Sequence, residues 1–351
     1  MKKRLVLHIG MPKTGTTTIQ KTLAHNDRAL ARRGVLYPEF GRCQDGHHLV
    51  VDPLVDAIAP FALAPALAPR EVVAKILSWG TGRSQQTIIL SSENFAAARG
   101  IRPVLHEIAE AFDLQIVLVF RAQLAYANSM LNQRLKMRLF GRHESLEACL
   151  AKVGRKTNYL KIARLWRDAL PGARLSLTVI NENEDAWSAF ARTVDPVLEE
   201  IEPARSRSNP SLPPEALAFI DWLLTTPLKD NFAERGRVLE SLESYSAHQR
   251  ERVPFTLIDP DSEQQIRADA EMVNQILSQE FFGGRPLFGE TKHLPYVDIR
   301  SIGSDRILEV AGYVLGKYQE RADARRDGRE SLLARAIGTI SGAVPTMRGK
   351  G

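Results

Sequence analysis

Between Gly10 and Gly15 the chain carries Met11, Pro12, Lys13 and Thr14, and Thr16, Thr17 and Thr18 follow, giving GMPKTGTTT. These residue types suit anion binding where a strand turns into a helix. The first N–H groups of a helix lack intrahelical acceptors, and the aligned peptide dipoles favour negative charge there. Gly15 lets a ligand approach the backbone closely, the threonine hydroxyls add donors, and Lys13 brings a cation to the mouth of the turn. The stretch reads as a phosphate cradle.

The letter order narrows the reading. A Walker A loop places Lys directly after its last Gly, whereas Lys13 precedes Gly15 by two residues. PKTGTT instead resembles the 5′-phosphosulfate-binding loop of sulfotransferases that use 3′-phosphoadenosine 5′-phosphosulfate (PAPS).

A second group of residues lies further on. Arg121 follows the apolar run LQIVLVF, and a helix is expected from Gln123 to Arg138. Ser129 then falls roughly 9 Å along that helix at ~1.5 Å per residue. An extended arginine could meet the serine hydroxyl over one anion, with the planar guanidinium supplying paired donors. IVLVFRAQLAYANSMLNQRLK resembles the 3′-phosphate element of the same family, and Arg121 and Ser129 match its two positions. SSENF, NYLKIARLW and SRSNPSL also look like segments of bacterial members, so the resemblance runs from about residue 4 to residue 215.

That resemblance implies transfer of a sulfuryl group from PAPS to an acceptor hydroxyl or amine, releasing adenosine 3′,5′-bisphosphate. Lys13 would hold the bridging oxygen, and Thr14, Gly15, Thr16, Thr17 and Thr18 the 5′-phosphate. No metal is expected. A base must take the acceptor proton, and His47, His48, Glu39 and Glu93 are candidates. Neighbouring residues point in different directions, so at most one of the two histidines serves, and His48 is preferred to His47. Glu93 has a further role open to it, orienting Lys13 or the acceptor. Arg205 and Arg207, ahead of Asn209, are candidates for closing over the nucleotide.

The elements that must hold these groups follow from hydrophobic periodicity and from Gly and Pro punctuation. Strands are expected at Arg4–Gly10, Val35–Tyr37, Thr87–Leu90, Leu114–Phe120 and Arg174–Ile180. Helices are expected after Thr16, over Arg70–Trp79, Ile101–Phe112 and Lys156–Leu170, near Pro214, and over Arg235–Arg252, Glu263–Phe281 and Asp305–Leu333. Strands alternating with helices imply an α/β fold: a P-loop-like parallel sheet of about five strands flanked by helices, with a helical C-terminal extension. The expected division is a core over 1–215, a helical extension over 216–340 and a tail over 341–351. In such a sheet ligands lie beyond the C-terminal strand ends. The Lys13 loop, Ser91–Asn94 and Arg121 all fall at such ends.

Bulk composition sets outer limits. Of 351 residues, 44% are hydrophobic and 25% charged, values ordinary for a globular chain. A net charge of +6 suits anionic ligands, but the charge is scattered and no nucleic acid partner is expected. Cys43 and Cys149 form no disulfide framework or zinc spacing. With no signal peptide or spanning segment read, a cytoplasmic protein is expected. Peripheral membrane contact and oligomeric state stay open. The expected acceptor is a carbohydrate, glycolipid or other small molecule. Two other functions compete: a P-loop kinase-like phosphotransferase, which lacks its expected Lys and Mg²⁺-binding Asp here, and a non-catalytic nucleotide-binding scaffold using its C-terminal helix.

Overall fold

In the computed structural model β1 (Arg4–Gly10) is the centre of a parallel sheet, and Leu5, Val6, Leu7 and Ile9 are all fully buried. A strand covered on both faces needs apolar residues at successive positions, and RLVLHIG supplies them. The structure describes residues 2–57, 67–81, 84–141, 144–154, 157–180, 185–204, 211–226, 232–249, 253–289 and 292–325.

The chain continues through α1 (Thr16–His25), α2 (Asp27–Arg32), β2 (Val35–Leu36), α3 (Val51–Leu54), β3 (Val55–Ala57), α4 (Pro69–Thr81) and β4 (Thr87–Ser91). β5 (Ala98–Ile101), α5 (Pro103–Ala111), β6 (Asp113–Arg121), α6 (Gln123–Met137), α7 (Leu146–Gly154), α8 (Tyr159–Ala169) and β7 (Arg174–Ile180) follow. Among the described residues the main sheet has five strands in the order β2-β4-β1-β6-β7, each pair parallel. The expected α/β architecture is therefore present. β3 and β5 add a small antiparallel pair that periodicity did not disclose, because three- and four-residue strands carry almost no pattern.

Each face of the sheet is covered by helices. Val6, Ile89, Val117 and Val119 pack with Ile19 and Leu23 of α1 and with Trp187, Phe190 and Val194 of α9 (Ala186–Val194). Leu198 of α10 (Pro196–Glu199) closes the edge of that cluster. Each such side chain contributes roughly 1.5–3 kcal/mol on burial. Toward the other face Phe120 of β6 stacks on Tyr159 of α8 at 4.4 Å between ring centroids.

The winding reverses at the middle of the sheet. The connection leaving β1 runs toward β2, and the one leaving β6 runs toward β7 on the other side. The C-terminal ends of the neighbouring strands β1 and β6 thus flank the switch point, where open α/β sheets bind ligands. Gly10 pairs with Val119, so β6 extends two residues further and ends on Arg121.

The chain forms two compact units. One compact unit comprises Met1–Tyr126, Lys156–Ser208 and Ile266–Thr291, and the other Ala127–Arg155, Asn209–Gln265 and Lys292–Gly351. Long-range polar contacts explain the return of 266–291 to the first unit. On α13 (Pro260–Phe281), Asn274 exchanges side-chain hydrogen bonds with Gln123, and Glu280 pairs with Arg164 and Arg167.

The second unit is helical. α11 (Pro214–Leu223), α12 (Phe232–His248) and α14 (Ser304–Arg325) bury Leu217, Ile220, Leu242, Val310 and Val314. Lys136 of α6 is almost wholly buried there, with Nζ 3.4 Å from Glu243. The remainder of the helix expected to reach Leu333, the tail over 341–351, and Arg205, Arg207 and Asn209 lie outside the described residues.

Candidate anion site and base cluster

The turn after β1 is closed by one carbonyl. Met11 O accepts from the Thr14 N–H at 3.2 Å, the Thr14 hydroxyl at 2.6 Å and the Thr16 hydroxyl at 3.2 Å. Each hydroxyl has one proton to give. Thr14 and Thr16 therefore brace the turn with their side chains. Thr17 is exposed and Thr18 half-buried.

Lys13 adopts φ +67° and Gly15 φ +77°. A left-handed backbone strains a lysine by roughly 1–2 kcal/mol. Left-handed residues within such a turn direct successive N–H groups into one concavity, a nest suited to anions. α1 then begins without a side-chain cap and without an acidic residue in its first turn. Among the described residues no acceptor meets the N–H groups of Gly15, Thr16 or Thr17.

Two glycines are required by packing. A Cβ on Gly10 would lie 2.2 Å from Thr16 Oγ1, and one on Gly15 would lie 2.2 Å from Ala186 Cβ. Neither position tolerates a side chain without displacing the turn.

Arg121 reaches the same turn from β6. Its guanidinium donates to the Lys13 carbonyl at 3.4 Å, and the Tyr159 hydroxyl donates to the Arg121 carbonyl at 2.7 Å. Burial lowers the Arg121 pKa from its ordinary value, and it raises that of Tyr159. No carboxylate pairs with Arg121 among the described residues. A half-buried cation without a counter-charge is unfavourable unless an anion completes it. Its expected partner Ser129 is half-buried on the stretch of α6 that belongs to the second unit.

The four base candidates separate clearly. His47 is fully buried, with Nε2 2.8 Å from Pro38 O and Nδ1 accepting the Ser91 N–H at 3.2 Å. Both nitrogens are used, and burial holds its pKa down at about 3. His47 therefore has no lone pair left for an acceptor proton. Glu39 is exposed on the loop after β2.

His48 and Glu93 meet instead. His48 Nδ1 lies 2.8 Å from Ser92 Oγ and 4.0 Å from Glu93 Oε2. Ser92 caps the 3-10 turn Glu93–Ala97 by accepting the Asn94 N–H. Among the described residues Nε2 of His48 makes no hydrogen bond, which leaves it as the nitrogen able to exchange a proton with a substrate.

Two further polar residues escaped the sequence reading. His8 is buried with Nδ1 2.8 Å from Ser91 Oγ, and its Nε2 has no partner among the described residues. Burial takes its pKa to about 3. The signal was a ring nitrogen pair inside LVLHIG, two residues before the turn. Gln20 of α1 donates to Glu93 Oε2 at 3.0 Å and lies one turn beyond Thr16. A glutamine on the buried side of an amphipathic helix was the available sign.

A cavity of about 470 Å³ lined by Lys2, His106, Glu110, Asp113 and Leu170 lies toward the N-terminal ends of the strands, away from this chemistry. No group of three or more metal-ligating side chains occurs among the described residues, and no helix there is long and apolar enough to cross a membrane.

Comparisons with protein-family models, with curated proteins and with solved structures return no match.

Proposed function

We propose that this chain is a PAPS-dependent sulfotransferase, with the Lys13 turn holding the 5′-phosphosulfate. The observation that carries the reading is the half-buried Arg121 guanidinium, bonded to the Lys13 carbonyl and lacking a carboxylate partner among the described residues. An uncapped helix start beside an uncompensated cation calls for a multiply charged anion. The resemblance of PKTGTT and of the Arg121–Ser129 segment makes that anion a phosphosulfate nucleotide.

In this reading the acceptor hydroxyl or amine gives its proton to His48 Nε2 as its oxygen or nitrogen bonds to sulfur. The bond from sulfur to the 5′-phosphate oxygen breaks in line, and the electron pair leaves with adenosine 3′,5′-bisphosphate. Charge grows on that leaving oxygen, where the N–H groups of Gly15, Thr16 and Thr17 and the Lys13 side chain stabilise it. Arg121 takes the 3′-phosphate, as its match to the family's element implies. The leaving group is already stable as an anion, so the step needs no metal. A carbohydrate or glycolipid acceptor follows from the resemblance alone.

Transfer from ³⁵S-labelled PAPS to candidate glycans tests the reading, with Lys13→Ala and His48→Ala as controls. Label transfer that persists in EDTA and is lost in both variants supports it. Turnover that stops in EDTA and uses a nucleoside triphosphate identifies a kinase instead. Tight adenosine bisphosphate binding without any transfer identifies a scaffold.

A further inference from the structure

Glu93 reaches His48 only through a definite arrangement, and a residue on another element holds it. Gln20 sits on α1, five residues after Gly15, and is 5% exposed. Its Nε2 donates to Glu93 Oε2 at 3.0 Å, the same carboxylate oxygen that faces His48 Nδ1 at 4.0 Å. A weaker contact of 3.5 Å ties the amide to Ser91 O at the end of β4.

The backbone is shaped around this meeting. A Cβ on Gly46 would lie 2.7 Å from His48 Nε2 and 2.8 Å from both Cδ and Nε2 of Gln20. The imidazole and the amide therefore crowd one point that only a glycine leaves open. Glu93 is itself a third exposed at its side chain. An unrestrained glutamate there would sample several rotamers, because long polar side chains lose much rotamer entropy when fixed.

We propose that Gln20 is a positioning residue that holds the Glu93 carboxylate against His48, so that the helix carrying the anion turn also orients the base. The inference rests on the sulfuryl-transfer reading. It adds that the helix carrying the anion turn also braces the carboxylate beside the base, which keeps the acceptor oxygen in line with the bound phosphosulfate. Gln20 itself touches neither substrate.

The test is a comparison of Gln20→Met with the exchanged pair Gln20→Glu/Glu93→Gln. Gln20→Met keeps the shape of the side chain and removes the amide, and it is expected to lower kcat by about 10- to 100-fold, less than the roughly 10²- to 10⁴-fold a general base itself contributes. The KM for PAPS and the calorimetric affinity for adenosine 3′,5′-bisphosphate should not change. The exchanged pair restores an amide–carboxylate bond with the charge at the wrong end, and it should regain thermal stability without regaining kcat.

A merely structural contact would give the opposite pattern. Stability and turnover would then recover together in the exchanged pair, or nucleotide affinity would fall with kcat in Gln20→Met, and either result overturns the inference. Wild-type turnover with unchanged kcat in Gln20→Met also overturns it alone. Absence of transfer by the wild-type chain overturns the sulfotransferase reading and this inference with it.

Discussion

Ala186, the first residue of α9, stands where Gly15 has no side chain: a Cβ on the glycine would lie 2.2 Å from the Cβ of Ala186. The turn that presents the helix N-terminus is thus backed directly by a second helix. α1 and α9 share the same apolar cluster, through Ile19, Leu23, Trp187 and Phe190.

Gly15→Ala is expected to lose both stability and anion binding. The φ of +77° costs an alanine roughly 1–2 kcal/mol. The overlap with Ala186 adds about 1–3 kcal/mol of overpacking. Urea unfolding should show a loss of that combined order, and calorimetry should show no adenosine 3′,5′-bisphosphate binding. Unchanged stability would mean the turn relaxes freely.

Lys13 carries backbone strain of its own at φ +67°. Replacing it by glycine relieves roughly 1–2 kcal/mol of left-handed strain and costs about 0.5–1 kcal/mol in unfolded-state entropy. Lys13→Gly is therefore expected to unfold at a slightly higher denaturant midpoint than wild type while losing transfer activity. Lys13→Ala should lose activity without that gain. Residues held in strain cluster where function requires them, and a Lys13→Gly variant that stayed active would break the link.

Arg121 makes a different prediction. It is half-buried, and among the described residues it has no carboxylate partner. Arg121→Met removes a desolvated charge, so thermal stability is expected to hold or rise, as it often does when buried ions are replaced by apolar side chains. Affinity for adenosine 3′,5′-bisphosphate should fall by about 10-fold or more, since charged hydrogen bonds contribute roughly 1.5–3 kcal/mol. Arg121→Lys should recover little of it, because an ammonium lacks the fork geometry. Binding isotherms for the three proteins decide the matter.

The two neighbouring histidines should behave unlike each other. His47 is tied to Pro38 O and the Ser91 N–H, and its ring packs edge-on against Tyr37 at 4.6 Å between centroids. His47→Ala is expected to destabilise by several kcal/mol, about 2–4, through a cavity and an unsatisfied N–H. His48→Ala should leave the unfolding free energy within about 1 kcal/mol of wild type and abolish transfer. Parallel melting curves and transfer assays separate these roles.

Stability should fall on acidification for a definite reason. His8 and His47 are both fully buried, with folded pKa values of about 3 against an unfolded value near ~6.5. Below pH ~6.5 the unfolded chain binds more protons than the folded one, so acid favours unfolding until the folded rings protonate near 3. Each ring contributes a slope of roughly 1.4 kcal/mol per pH unit well inside that window. A His8→Met variant, unable to titrate at that site, should show a visibly shallower decline between pH 6 and pH 4 in urea titrations.

The elements themselves were legible because each is written locally. Arg174–Ile180 is a strand over its expected span, and β1 is one over Arg4–Gly10. Apolar runs of this length, bounded by Gly or Pro, leave few alternatives. Elements with too little pattern were not legible. β3 and β5 are short, and their pairing joins residues more than forty positions apart.

The sequence by itself determined the glycine turn after β1, the five parallel strands and the polar groups at their C-terminal ends, since strand period, glycine placement and helix starts depend on near neighbours. Only the tertiary structure decided which of those groups meet. Arg121 comes to Lys13 across 108 positions, and Glu93 comes to Gln20 across 73. The roles of His47 and His48 diverge because one ring is enclosed between Pro38 and Ser91 while the other turns toward Ser92 and Glu93. Burial and register set those outcomes, and both are properties of the packed chain that no local spacing encodes.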